Sequence, residues 1–302
     1  MLSILIPVYN FPCFDLVREL AQQAASATNV SFEIICIDDA SSLYKEENAA
    51  IRDLPHTLYV ELTENVGRSR IRNLLVSKAQ YETLVFLDCD SKIVNTDYLQ
   101  KYLEEMRHCD IVSGGTLYES CPPADPAYAL HWKYGSRREP KPDDNQGKTF
   151  TSNNFAIKKT IIEHYPFNEK IVRYGHEDSI FQMELEKQGL SVRFIRNPVV
   201  HTGLETNIRF IEKTQESVTN LYELYASGVF DGLNTGKIRL LQTYIRLKKW
   251  RMDSLFSLLF PVINLLNRKT NAKGHPNLLV FDLYKFTFFV YAIRKNVINC
   301  EQ

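Results

Sequence analysis

Apolar residues come in short runs separated by polar turns through the first third of the chain. Ser3-Ile4-Leu5-Ile6-Pro7-Val8-Tyr9-Asn10 reads as a short apolar strand closed by Pro and Asn, which are loop residues. Leu16, Val17, Leu20 and Ala24 then recur at helical spacing, predicting a helix from about Phe14 to Ala27. Phe32 to Ile37 is a second apolar strand that runs into Asp38-Asp39-Ala40-Ser41. Thr57 to Leu62 predicts a third strand, Gly67 to Ala79 a helix, and Thr83 to Leu87 a fourth strand ending in Asp88-Cys89-Asp90. Strands alternating with helices imply right-handed crossovers and an α/β fold, with a mostly parallel sheet covered on both faces. In such sheets ligands bind beyond the carboxyl ends of the strands, near a switch in strand order. Asn10, Asp38-Asp39 and Asp88-Cys89-Asp90 all fall at those ends, which makes them candidates for one pocket.

The Asp-x-Asp triplet carries the chemistry. Alternate residues at a strand end face the same way, so Asp88 and Asp90 present two carboxylates together. Hard oxygen ligands of this kind suit Mg2+ or Mn2+, ions held between carboxylates and substrate phosphates. An acidic pair in a solvated turn is the plainer alternative for any one such triplet. No Walker-type or dinucleotide glycine pattern accompanies it, so Gly67 reads as a backbone device rather than a phosphate cradle.

Pro7-Val8-Tyr9-Asn10, Asp38-Asp39-Ala40-Ser41, Asn65-Val66-Gly67 with Arg72-Asn73, and Asp88-Cys89-Asp90 resemble, in order and rough spacing, the family-2 glycosyltransferases of GT-A fold. The resemblance continues through Ser152-Asn153-Asn154-Phe155-Ala156, Gly175-His176-Glu177-Asp178 and Val200-His201-Thr202-Gly203. It implies a GT-A catalytic domain over residues 1–204. The donor-binding half would be about 1–118, the acceptor-side half about 119–204, and 205–302 a helical C-terminal extension.

The same resemblance implies the site. Asp178 would be the catalytic base. Pro7, Tyr9, Asn10, Asp39, Arg72 and Asp88 would line the donor pocket, with Asp39 on the nucleobase or ribose and Asp38 supporting the loop. Asp90 would ligate the metal, with His201 as a further ligand. Two departures stand out: Arg68-Ser69-Arg70 is more basic than the pattern, and His176 replaces a small residue before Glu177-Asp178. Each residue also has a structural reading. Glu177 and Asp178 suit the positive end of a helix, Asp38 suits a turn, His201 suits a hydrogen-bonded core position, and Arg68, Arg70 and Arg72 suit a solvated helix face.

The chemistry coheres independently. Departure of a nucleoside diphosphate leaves negative charge that Mn2+ or Mg2+ stabilises, and an attacking acceptor hydroxyl needs a carboxylate general base. The reading is therefore an inverting glycosyltransferase acting on a nucleotide-sugar donor, UDP-sugar favoured, and a glycan or lipid-linked acceptor. Surface polysaccharide synthesis is the context the family implies. Nucleotidyl transfer and a non-catalytic nucleotide-sugar-binding scaffold are the alternatives, and the first lacks its expected glycine- and lysine-bearing phosphate loop near Pro7-Val8-Tyr9-Asn10-Phe11.

Composition changes the picture mainly at the C-terminus. The 302 residues are 44% apolar and 24% charged, an ordinary globular balance. Six cysteines (Cys13, Cys36, Cys89, Cys109, Cys121, Cys300) form no Cys-x-x-Cys pair, which fits a reducing cytoplasm. The chain enters a Pro-terminated strand almost at once, with no signal-peptide pattern. The zero net charge conceals an asymmetry. Residues 237–302 hold 12 Lys+Arg against 3 Asp+Glu, a balance of +9, and residues 1–236 hold 24 against 33, a balance of −9.

Helices are expected over Glu205–Ala226, Lys237–Arg251, Leu255–Leu266 and Asn277–Lys295, with Pro261 kinking or ending the third. Trp250, Phe256, Phe260, Phe281, Tyr284, Phe286, Phe288, Phe289 and Tyr291 lie among cations there. That pattern predicts an interfacial, peripheral contact with the inner face of the cytoplasmic membrane. Packing on the catalytic domain or in a homodimer is the alternative; no nucleic-acid reader motif is present. Finally, the Pro-rich stretch from Glu119 to Lys148 is expected to be a long functional loop, with Trp132 and Tyr134 offered for sugar stacking.

Overall fold

The computed structural model describes residues 1–26, 30–139, 150–251, 253–272 and 274–300, with side chains through Lys295. Ala27, the 140–148 part of the expected loop and the Cys300 side chain lie outside these residues. The strands are β1 (Leu2–Val8), β2 (Phe32–Asp38), β3 (Thr57–Glu61), β4 (Thr83–Leu87), β5 (Ser91–Ile93), β6 (Ile111–Ser113), β7 (Thr116–Leu117), β8 (Asn154–Lys158), β9 (Arg193–Phe194) and β10 (Val199–His201). The helices are α1 (Phe14–Ser26), α2 (Lys45–Ala49), α3 (Arg68–Lys78), α4 (Tyr98–Glu105), α5 (Ala129–Arg138), α6 (Lys159–His164), α7 (Glu177–Lys187), α8 (Asn207–Ala226), α9 (Arg239–Lys249), α10 (Asp253–Ala272) and α11 (Leu278–Cys300).

The chain divides into two compact units. The first comprises residues 1–118, 140–172 and 177–203, and the second 119–139, 173–176 and 204–302. Glu119–Glu139 thus falls in the same unit as the C-terminal helices.

In the first unit a seven-stranded sheet runs in the order β3-β2-β1-β4-β8-β6-β9. The β1, β2, β3 and β4 pairings are parallel, and β8 runs antiparallel to both β4 and β6. Strands β1 and β4 are buried along nearly their whole length, which is why they read as continuous apolar runs. Pro7, unable to donate a hydrogen bond, falls beyond the last β1–β4 pairing at Leu5 and Phe86, so the central ladder loses no bond there. Chain order reverses at β1, where β2 leaves on one side and β4 on the other, creating the switch point. A three-stranded sheet, β5-β10-β7, sets His201 opposite Ser91.

A buried polar knot ties β8 to its surroundings. The Asn154 Oδ1 accepts from the Tyr98 and Tyr102 hydroxyls at 2.7 and 2.6 Å, and its Nδ2 donates to the carbonyls of Gly115 and Asn197 at 2.8 and 3.0 Å. Gly114 beside it has no room for a side chain, since a Cβ would lie 2.4 Å from both the Tyr102 hydroxyl and the Asn197 carbonyl.

The second unit is helical. Thr206 caps α8 through its hydroxyl, which accepts from Arg209 N at 3.3 Å. The expected long loop is corrected over its described residues, Glu119–Glu139. Asp125 caps a short 3-10 turn that begins at Pro126, and α5 follows directly. Pro at a first helical position starts a helix rather than preventing one. The Trp132 indole donates to the Glu119 carbonyl at 2.7 Å, and Tyr134 packs on Phe210 and Phe281, so neither ring is a free sugar platform. Pro261 does not end its helix, which continues to Ala272.

Most rings of the expected aromatic membrane face turn inward, although Trp250 stays exposed. Phe281, Tyr284, Phe286 and Phe289 are buried, and Phe260 packs on Phe288 and Tyr291 while Phe256 packs on Phe286. Rings spaced along two adjacent helices satisfy one another more readily than they satisfy an interface.

Candidate active site

The carboxyl ends of β1, β2 and β4 converge as the sequence predicts, and the first turn of α3 joins them. Asp39 follows β2, and its carboxylate accepts from the backbone N–H groups of Val66 and Gly67 at 2.7 and 3.1 Å. These amides lead into α3, whose N-terminal end carries the positive pole of the helix dipole. Gly67 supplies the left-handed backbone, at φ +83°, that the entry requires. Burial outweighs those two hydrogen bonds and raises the Asp39 pKa. A carboxylate has about four lone-pair sites, so Asp39 keeps acceptor capacity beyond its two internal bonds.

Asp38 takes the structural reading. It is wholly buried, accepting from Ser41 N at 2.7 Å and from the Tyr59 hydroxyl at 3.0 Å. Asn10 has φ +50° and staples the two loops, its Oδ1 accepting from the backbone N–H groups of Ser42 and Leu43 at 2.8 and 3.0 Å. Tyr9 is exposed. Its backbone N–H donates to the half-buried Cys89 thiol, joining the β1 end to the β4 end, and desolvation pushes that thiol well above its usual range.

Arg68 and Arg72 form the hub that sequence reasoning underrated. The Arg72 Nη2 lies 2.8 Å from Asp88 Oδ1, and its Nη1 donates to the Arg68 carbonyl at 3.1 Å. At 1% exposure, Arg72 is no solvated helix face, and its Nε–H is buried without a partner among the described residues. Arg70 is exposed and keeps the solvated reading. The Arg68 Nε donates to Glu177 Oε1 at 2.6 Å, and its Nη2 lies 3.5 Å from Asp88 Oδ2. The unusual Arg68-Ser69-Arg70 stretch was the available signal for this hub; the Glu177 pairing, across more than a hundred residues, had none.

The adjacent carboxyls Glu177 and Asp178 are driven apart electrostatically. Burial would push Glu177 up, but Arg68 and Arg72 outweigh it and hold its carboxyl below the usual range. Asp178 is pushed up to about 7, first by burial and then by the Glu177 charge, against the hydrogen bond from Ser179 N. A pair of carboxyls whose environments separate their titrations is the pattern of an acid–base site.

Asp90 and His201 stand together, with His201 Nδ1 3.4 Å from Asp90 Oδ1. Burial opposes ionisation of Asp90, but His201 and Arg68 outweigh it and keep its carboxyl below the usual value. Thr202 anchors the segment, its N and Oγ1 donating to the Asp90 carbonyl at 2.8 and 2.7 Å. Gly203 completes a tight cradle, because a Cβ there would lie 2.5 Å from Asp90 Oδ2 and 2.8 Å from Asp90 Cβ. Among the described residues no group of three or more His, Cys, Asp or Glu side chains is arranged to hold a metal. The Asp90–His201 pair still fits an ion that takes few protein ligands and completes its shell with water and phosphate oxygens.

Comparison with known proteins gives the family and the fold. The sequence profile of Glycosyl transferase family 2 matches residues 3–166, which spans more than half of the chain and the strand ends just described. A protein of Haemophilus influenzae described as an uncharacterized glycosyltransferase is 35% identical over 127 residues, covering 40% of this chain and 48% of that protein. The chain thus spans about half the length of the curated relative it matches.

Among solved structures, the mannosyltransferase PcManGT from Pyrobaculum calidifontis, in complex with GDP-Man and Mn2+, superposes with a TM-score of 0.59 at 17% identity, covering 98% of this chain and 86% of that one. Residues 1–349 of S. aureus TarS, in complex with UDP-GlcNAc, superpose with a TM-score of 0.51 at 16% identity, covering 98% and 91%. At such identities the likeness carries the fold, and the α/β, GT-A expectation holds. With the profile match over more than half its length, the chain belongs to glycosyl transferase family 2.

Proposed function

We propose that this protein is an inverting glycosyltransferase that moves a sugar from a nucleoside-diphosphate donor to a hydroxyl of a glycan or lipid-linked acceptor. The observation that carries the reading is the charge arrangement at the head of α3. Two arginines pair with Asp88 and Glu177, while burial and the Glu177 charge push the carboxyl of Asp178, next in sequence, up to about 7. A base poised near the working pH is the optimum for taking a proton from an attacking hydroxyl.

In this reading Asp178 removes the acceptor proton, and attack from the face opposite the diphosphate inverts the anomeric centre without an enzyme nucleophile. Pro7, Tyr9, Asn10, Asp39, Arg72 and Asp88 frame the donor, with Asp39 accepting from the ribose or base. The unpartnered Arg72 Nε–H is a donor for a phosphate oxygen or a bridging water. Asp90 and His201 would hold Mn2+ or Mg2+, and a divalent cation there would neutralise charge on the departing diphosphate. The place of action in this reading is the cytoplasmic face of the membrane, in surface polysaccharide synthesis. Nucleotidyl transfer is disfavoured by the family membership.

A screen of nucleotide sugars with Mn2+ present tests the donor class. Slow hydrolysis of one of them, UDP-sugars first, is the expected result, lost on chelation; binding of none would overturn the reading. A second expectation concerns the cradle. Gly203→Ala pushes a methyl into Asp90 and weakens Mn2+-dependent binding of UDP by about tenfold, while UDP binding without metal changes little. Equal Mn2+ enhancement in both proteins would separate Asp90 from the metal.

A further inference from the structure

Helix α10 wears its apolar side outward. Leu255, Leu258, Leu259, Val262, Leu265 and Leu266 are all exposed, Leu258 at 77% and Val262 at 58%. Their steps of three and four residues place them in one stripe. The opposite side contributes Phe256 and Phe260 to ring contacts with α11, and it carries two buried asparagines. Asn267 Nδ2 and Asn271 Oδ1 are buried there without partners among the described residues. A helix with leucines in water and amides inside calls for an apolar environment on its outer face.

The stripe from Leu255 to Leu266 is about 17 Å long at the rise of an α-helix, against a hydrocarbon core of about 30 Å. Among the described residues no helix is long and apolar enough to cross a membrane. The ends of the stripe are cationic. Lys248, Lys249 and Arg251 precede it, Arg268 and Lys269 follow it, and Asp253 is the sole acid on the helix. Where the chain turns into α11, Lys133, Arg137, Arg138 and His275 line a cleft of about 550 Å3. Arg137 is exposed there and has no ion-pair partner among the described residues.

A second copy of this chain would make a poor cover. A two-fold interface sets a patch against itself, so either pairing direction brings cationic ends onto cationic ends. An anionic bilayer answers both features, taking the leucines below its headgroups and the cations among its phosphates.

We propose that the outward face of α10 docks in the plane of an anionic phospholipid surface. This deepens the location given for the enzyme, and vesicle binding is read without nucleotide sugar, so failure of either reading leaves the other standing. The full chain is sedimented with vesicles of phosphatidylcholine alone or mixed with phosphatidylglycerol. Binding is expected to the mixed vesicles, weakened by salt and reduced at least about tenfold in Leu258→Glu/Val262→Glu and in Arg268→Glu/Lys269→Glu. In a Trp132→Phe background Trp250, 74% exposed just before the helix, shifts its emission to the blue when anionic vesicles are added. Equal binding to neutral vesicles, an unmoved Trp250 emission, or a wild-type dimer that the Leu258→Glu/Val262→Glu change makes monomeric would each overturn the proposal.

Discussion

Asp178→Asn lowers kcat/KM for sugar transfer by about a thousandfold, the middle of the range for loss of a general base, while the donor dissociation constant stays near that of the wild type. Steady-state transfer assays and calorimetric titration of the donor measure the two quantities separately. In the wild type kcat/KM rises with pH through about 7, since only the ionised carboxylate can accept the acceptor's proton; that limb vanishes in the variant. Undiminished turnover would remove Asp178 from the mechanism.

Stability moves the opposite way. In the unfolded chain this carboxyl titrates near 3.8, and in the fold near 7. The folded state therefore binds the extra proton between those values, and this group's contribution falls as pH rises across that window. Glu177, held low by Arg68, has the reverse dependence, and its contribution is lost as pH falls below its unfolded value. Asp178→Asn is accordingly more heat-stable than wild type at about pH 8 and close to it at about pH 4. A variant that is inactive yet more stable separates catalytic loss from unfolding.

Asn154→Leu destabilises the fold by about 3–4 kcal/mol, a large fraction of the about 5–15 kcal/mol that holds an ordinary domain together. The leucine fills the space, but it leaves the hydroxyls of Tyr98 and Tyr102 and the carbonyls of Gly115 and Asn197 without the amide. Urea unfolding followed by far-UV circular dichroism measures the loss. The consequence reaches the candidate site, because Asp88 N donates to the Asn153 carbonyl at the head of the same strand. Donor affinity should therefore fall below the melting range too. A cost under about 1 kcal/mol would mean that water replaces the amide at each partner.

The elements of the first unit were legible because their cause is local. A strand buried on both faces must be apolar throughout, and a helix on a sheet must repeat its apolar residues every three or four positions. Strands β1, β2 and β4 and helices α1 and α3 accordingly lie where the periodicity predicts, within a residue or two. Boundaries blurred where polar signals competed. Pro122-Pro123 suggested a loop through Lys148, yet Asp125-Pro126 is a helix start, and α5 fills about half of the described part, Glu119–Glu139. At the C-terminus the helices were foreseen and their facing was not. Aromatics among cations suggested an interface, but ring pairs between α10 and α11 took them inside and left the leucines out.

By itself the sequence determined the alternation of strands and helices, the acidic tips of β2 and β4, and the motif order that marks the family, because these depend on neighbours along the chain. Only tertiary structure decided what each charged tip does. Asp38 was assigned to Tyr59, Asp39 to the α3 amides, Asp88 to two arginines and Asn154 to four partners from other segments. A carboxylate's titration depends on burial and on charges within a few ångströms, and chain folding, not sequence spacing, brings Arg68 to Glu177 and Asp178.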